Sequence, residues 1–164
     1  MTEADDEVVC EITAQCLRFA ADVCDFTQEQ VALALKKYCS RQHVASLRVK
    51  GISFIAELDG AVVGVVTTKD NSIQALFVNP VVHRKGIGRA LFHQAQKEID
   101  KAGYPALRVV TAASAVPFYS AMGMTPTASL RPKDGPFCGA NLVVLEKPIK
   151  PQPNIQADIK EGTT

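Results

Sequence analysis

Apolar residues at Val8, Ile12, Cys16 and Phe19 recur three and four positions apart, the spacing of one helical face. The chain is therefore expected to open with a helix, with Thr2 or Asp5 as its cap. Thr27 followed by Gln28-Glu29-Gln30 is a capping-box pattern and starts a second helix through Val31, Leu33, Leu35 and Tyr38. Arg41, Gln42 and His43 read as a polar connection. From Ile52 the period changes to that of strands. Residues 53–58 and 61–67 are β-rich runs separated by Asp59-Gly60, a pair suited to a two-residue hairpin turn. A third strand, residues 73–78, stops at Asn79-Pro80. Ile87, Leu91, Ala95 and Ile99 then mark one face of a helix over residues 86–102, with Gly103 as its stop. A strand over 106–111, a short helix over 115–122 ended by Gly123, and a late strand over 141–146 follow. From Lys147 the chain turns polar and proline-rich, the composition of a flexible or polyproline-like tail. No internal repeat is visible.

A length of 164 residues, 47% of them hydrophobic, suits one domain with one buried core. No apolar run approaches the roughly 20 residues that span a bilayer. The start, MTEADDEVVC, is acidic where a secretory leader is basic and then apolar, so a cytoplasmic protein is expected. Cys10, Cys16, Cys24, Cys39 and Cys138 show no CxxC spacing, which favours reduced thiols over a disulfide framework or a zinc site. No metal is expected. The net charge of +1 argues against a nucleic-acid coat or a polybasic membrane binder.

The small total conceals a partition. Residues 1–30 hold eight acids and one base, Arg18. Residues 71–97 hold Arg84, Lys85, Arg89 and Lys97 and no acid. Three of those bases surround Gly86-Ile87-Gly88, which lies between a strand and a helix. Amides at a helix start lack intrahelical partners and carry the positive end of the dipole, and glycine lets an oxyanion approach them. A diphosphate is the natural ligand. The GxxxxGK(S/T) phosphate loop is absent, and Gly86-Ile87-Gly88-Arg89-Ala90-Leu91 lacks the third glycine of a dinucleotide fingerprint.

A longer pattern is more specific. Val78-Asn79-Pro80 followed by His83-Arg84-Lys85-Gly86-Ile87-Gly88 resembles the strand, V-x-P and Q/R-x-x-G-x-G/A element of the GNAT superfamily of acyl-CoA-dependent N-acetyltransferases. Further on, Ala115-Val116-Pro117-Phe118-Tyr119-Ser120-Ala121-Met122-Gly123-Met124 is similar to that family's A-x-x-F-Y-x-x-x-G-F element. The resemblance covers roughly residues 3–147. It implies an α/β fold with a mixed, mostly antiparallel central sheet flanked by about four helices and splayed at the third strand. It also implies a domain over 1–148 and a tail over 149–164.

The same resemblance assigns acetyl-CoA as co-substrate. The backbone of Leu76, Phe77 and Val78 would pair with pantetheine, and an N–H near Phe77 or Val78 would hold the tetrahedral oxyanion. The amides of His83, Arg84, Lys85, Gly86, Ile87, Gly88 and Arg89 would cradle the pyrophosphate. Phe118 would lie against the cofactor, and Tyr119 would protonate the departing thiolate. A primary amine, on a small molecule or a peptide, would attack the thioester directly in a ternary complex. Its site is expected between the first two helices and residues 131–137.

Several positions depart from the family pattern. His83 replaces Gln or Arg at the loop entry and offers a pH-dependent contact. Ala112 stands where Asn is common, with Ser114 as a partial substitute. The third strand, SIQALFV, has no carboxylate, so Glu57, Asp70 or an ordered water is left to take the proton from the amine. The family's first strand is truncated or missing, which leaves a sheet edge for a second copy, as in a homodimer, or for the tail. A non-catalytic acyl-CoA-binding or sensing module is the alternative reading, favoured by the absent carboxylate. Taken alone, Tyr119 is also compatible with a half-buried aromatic beside Phe118.

Overall fold

The computed structural model of the protein describes residues 1–23 and 25–149. Its helices are α1 (Asp6–Asp22), α2 (Gln28–Tyr38), α3 (Arg41–Lys50), α4 (Ile87–Lys101) and α5 (Val116–Ala121). Its strands are β1 (Ile52–Leu58), β2 (Ala61–Lys69), β3 (Ser72–Val78), β4 (Ala106–Ala112), β5 (Thr125–Leu130) and β6 (Leu142–Pro148). They build the expected α/β fold, one mixed and mostly antiparallel sheet in the order β1-β2-β3-β4-β6-β5. Among the described residues no strand precedes α1, and β1 is an edge that pairs with β2 alone. The tail expected over 149–164 lies outside the described residues except for Ile149, whose N–H donates to the Pro105 carbonyl.

Why β2 reads as an unbroken apolar run follows from its position. Residues 63–68 are all buried, because α1 and α3 cover one face of the sheet and α4 the other. Gly64 lets α4 approach closely, since a Cβ there would lie 2.9 Å from the Leu91 side chain. On the α4 face, Leu91, Phe92, Ala95 and Ile99 pack with Val66, Leu107 and Leu145. On the other face Val9 of α1, Val44 of α3 and Val65 of β2 form a smaller cluster with the Phe77 ring against it.

The sheet is weakest in the middle. β3 and β4 are its one parallel pair, joined only through Ser72–Arg108 and Ile73–Val109. The register between β2 and β3 slips at Gln74, which is passed over in the pairing. A bulge bends the strand that carries it. Beyond Gln74, β3 diverges from β4 and leaves a wedge between the two halves of the sheet.

Two elements differ from the sequence expectation. The polar connection expected at Arg41 is the helix α3, which makes five helices rather than about four. Ser40 caps it, its hydroxyl accepting from the His43 N–H at 3.2 Å, and Val44 is its one fully buried residue. The Asp6 carboxylate at the start of α1 receives both Arg48 Nε and Nη2, at 3.1 and 3.2 Å, which fixes α3 against α1. β5 is the second difference, an exposed edge strand paired only with β6.

Candidate functional site

β3 ends where its main chain is handed over to a turn. Asn79 N–H donates back to the Val63 carbonyl of β2 at 2.8 Å. Neighbouring residues of a strand alternate the side to which their main-chain groups point. The Val78 groups therefore face away from β2, and its carbonyl accepts from Cys16 Sγ at 3.2 Å and contacts His83 Nε2 at 3.0 Å. By the same alternation Leu76 also turns its N–H and C=O into the wedge, while those of Phe77 point to β2. Of the three strand residues expected at the site, Leu76 and Val78 offer their backbone there. Phe77 contributes a packing ring instead.

The basic loop follows a short turn at Pro80–Val82. His83 closes it, with its ring nitrogen on Val78 and its face edge-on to Phe19 at 5.5 Å between centroids. Its ring is thus engaged with the protein rather than free for a phosphate. Arg84 and Gly86 both have left-handed backbone, at φ 66° and 80°. Nothing lies within 4 Å of a Cβ built on Gly86, so the dihedral and not crowding calls for glycine there. At Gly88 the reason is space, because a Cβ would come 3.3 Å from the Phe118 ring. The first α4 bond runs from Ala90 N–H to Gly86 O, leaving the amides of Ile87, Gly88 and Arg89 without helical partners. No ion pair among the described residues engages Arg84, Lys85 or Arg89.

Across the wedge stands α5. Tyr119 is 5% exposed, edge-on to Phe118 at 5.0 Å and to Phe92 at 6.3 Å. Burial pushes the phenol's pKa well above its usual value, so it keeps its proton. Its hydroxyl has no hydrogen-bond partner among the described residues, yet it is not among the fully enclosed unsatisfied atoms. It lines the cavity. Ser114 lines the same cavity, but both its N–H and its hydroxyl donate to the Asp25 carboxylate, tying the α1–α2 connection to the end of β4.

The wedge opens into a cavity of about 1120 Å³. Its walls bring together Leu76, Phe77, Val78, His83, Arg84, Gly86, Ile87, Gly88, Arg89, Ser114, Phe118 and Tyr119. Of the residues expected at the site, only Lys85 is not among the lining. The wall opposite the loop comes from α1, the α1–α2 connection, α2, α3 and the 131–140 loop, through Cys16, Phe19, Phe26, Tyr38, His43 and Phe137.

Among the described residues no Asp or Glu lines the cavity. Glu57 is exposed on the edge strand β1, and Asp70 is exposed in the β2–β3 turn with the Tyr104 hydroxyl 3.5 Å away. Neither is brought to the wedge. The residue missed from sequence is His43, half-buried in the wall and 5.0 Å from the Tyr38 ring. Burial, helped by the Lys37 charge, lowers its pKa, so the imidazole is neutral near pH 7. The signal that could have found it is Ser40, three residues ahead, a cap that turns the presumed connection into a helix. Cys16 contributes a thiol to the lining, and burial raises it to about 11, which makes it an inert hydrogen-bond donor. No cluster of three or more His, Cys, Asp or Glu able to hold a metal occurs among the described residues. Among the described residues no helix is long and apolar enough to cross a membrane.

The sequence model of the acetyltransferase (GNAT) domain matches residues 22–136. No curated protein matches the chain. A GCN5-related N-acetyltransferase from Rhodopseudomonas palustris superposes with a TM-score of 0.83 at 20% identity, over 91% of this chain and 92% of its own. The PaiA N-acetyltransferase from Thermoplasma acidophilum, solved in complex with coenzyme A, gives 0.74 at 16% identity, covering 91% and 96%. A ribosomal-protein-alanine N-acetyltransferase from Brucella melitensis gives 0.67 at 18%, covering 91% and 97%. At such identities these likenesses speak for the fold.

Proposed function

The chain belongs to the GNAT acetyltransferase family, and from that premise we propose that it transfers an acetyl group from acetyl-CoA to a primary amine by direct attack in a ternary complex. The observation that carries the reading is the wedge itself. On one side it offers unpaired loop amides and strand backbone, and on the other a proton-bearing Tyr119 with no partner.

The diphosphate of acetyl-CoA sits on the amides of Ile87, Gly88 and Arg89, with Arg84 and Arg89 supplying charge. The pantetheine arm lies along β3 and pairs with the main chain of Leu76. The amine nitrogen attacks the thioester carbonyl, and the oxyanion that forms is held by the Val78 N–H. Carbon–sulfur cleavage then places negative charge on sulfur, to which Tyr119 donates. The amine proton passes to His43, directly or through water, because a neutral imidazole is the base this wall provides.

Two results test the assignment of parts. Arg89→Ala weakens CoA binding about tenfold in a calorimetric titration, the loss of roughly one charge-assisted contact. The KM for acetyl-pantetheine, which has no diphosphate, stays unchanged. The second concerns pH. Because the pKa of His43 is lowered, its neutral form persists to pH values below 6.5 and is lost only as pH falls further. For an acceptor that remains neutral throughout, kcat/KM declines with falling pH about a midpoint below 6.5. His43→Gln lowers the plateau by about 100-fold, within the usual reach of a general base, and removes that decline.

A non-catalytic acyl-CoA-binding module is the second reading, and the carboxylate-free lining is what favours it. CoA binding with no thiol release from acetyl-CoA across an amine panel would establish it.

A further inference from the structure

Away from the loop, the cavity wall is a run of rings. Phe26 and Phe137 lie 4.4 Å apart, Phe137 stacks on Tyr38 at 5.8 Å with an 18° interplanar angle, and Tyr38 meets His43 at 5.0 Å. These four side chains come from the α1–α2 connection, the 131–140 loop, α2 and α3, and all four line the cavity. Rings assembled from four separate segments, in contact with one another and left half-exposed to the cavity, form one wall of a slot for another flat ring, since offset and edge-on aromatic contacts prefer centroids about 4.5–7 Å apart.

The charge of this wall is the second observation. Among the described residues no carboxylate is in the lining itself, and the Asp25 carboxylate behind Ser114 is already engaged by the Ser114 N–H and hydroxyl, so an ammonium ion entering the cavity would lose water and meet no uncommitted counter-ion. Lys37 adds to the repulsion, its Nζ standing 5.5 Å from the Tyr38 ring centroid. Arg84 and Arg89 contribute the same sign at the loop. Volume is the third. Ligand sites commonly enclose about 300–1,000 Å³, and this cavity, at about 1120 Å³, exceeds that range, leaving room for a ring beside a pantetheine arm.

We propose that the acceptor is an arylamine: a weakly basic amine, neutral near pH 7, carried on a flat uncharged aromatic ring packed against the wall formed by Phe26, Phe137 and Tyr38. This inference rests on the transfer reading above and specifies its acceptor. The arylamine nitrogen forms a bond to the thioester carbonyl carbon as the carbon–sulfur bond breaks. One N–H proton goes to His43, and the sulfur takes the Tyr119 proton. The products are the N-aryl acetamide and the CoA thiol, and His43 and Tyr119 restore their protons through solvent.

The test is thiol release from acetyl-CoA by the full chain, with 4-methoxyaniline, spermidine and an alanine-initiated peptide as acceptors. The expected kcat/KM for 4-methoxyaniline exceeds that for either other acceptor at least tenfold. Phe137→Ala should raise its KM about tenfold and leave the KM for acetyl-CoA unchanged, with Phe137→Tyr restoring the acceptor KM. Faster turnover of spermidine or the peptide would overturn the arylamine assignment and leave the transferase reading standing. An unchanged acceptor KM in folded Phe137→Ala would remove the slot. CoA binding without turnover of any acceptor would overturn both the acceptor and the transfer reading.

Discussion

Tyr119→Phe lowers kcat for amine acetylation by about 100- to 10,000-fold, the range over which a positioned proton donor acts, and leaves the Kd for CoA unchanged. The substitution removes one oxygen and keeps the ring. Phe118 and Phe92 continue to find their edge-on neighbour at 5.0 and 6.3 Å, so the core around α5 is preserved. What disappears is a hydroxyl that holds a proton and has no partner among the described residues to share it with. The direction of the tyrosine pKa sharpens the expectation. A phenol raised by burial is a poor acid in isolation, so it acts as sulfur charge develops and not before. Substrates with a more acidic leaving thiol need that help less. An acetyl thioester of an aromatic thiol should therefore lose far less rate in Tyr119→Phe than acetyl-CoA does. Stopped-flow or plate detection of free thiol reads both substrates, and an equal loss for the two would assign Tyr119 to packing alone.

The parts of the fold that were legible in the sequence are those with local causes. Asp59 and Gly60 both adopt left-handed backbone, at φ 52° and 79°, the pair of dihedrals for which Asp-Gly is chosen in a two-residue hairpin. α4 announces itself through Leu91, Ala95 and Ile99 on one face, and its bounds fall within a residue of those expected. α3 was hidden because a single buried valine gives no periodicity and its cap, Ser40, is one side chain. β5 was hidden because an exposed edge strand containing Pro126 has no inner face to write into its pattern.

The site divides in the same way. The loop and α5 motifs are contiguous segments, so their order along the chain carried them. The proposed proton acceptor, His43, is not contiguous with either. His43 reaches the cavity because Asp6 pins Arg48, and with it α3, against α1, a contact between residues 42 positions apart. The link between Asp25 and Ser114 spans 89 positions and was equally invisible. Glu57 and Asp70 looked eligible because they neighbour β2 and β3 in sequence, but exposure on the outer edge strand and in the far turn keeps both away from the wedge.

Phe92→Ala should cost about 3–5 kcal/mol, the range for removing a fully buried aromatic side chain. That is a large share of a total that is commonly about 5–15 kcal/mol. Phe92 is 0% exposed and holds the centre of the α4 face, with Phe118 and Tyr119 edge-on to it and Lys147 Nζ 5.6 Å from its ring. Few side chains can move into the space it leaves. Leu91 is fixed against the sheet by the close approach at Gly64, and Lys147 is already committed to the Gln96 side chain and the Met122 carbonyl. The urea midpoint should fall with little change in slope, and the thermal midpoint by on the order of 10 °C. Phe92→Leu, which keeps most of the volume, should lose about a third as much. The folded fraction of Phe92→Ala carries a second consequence, because the vacated volume lies directly behind the Tyr119 ring. A phenol free to tilt into it no longer presents its hydroxyl to the cavity at a fixed angle. Well below its melting point the variant should therefore show a kcat several-fold lower.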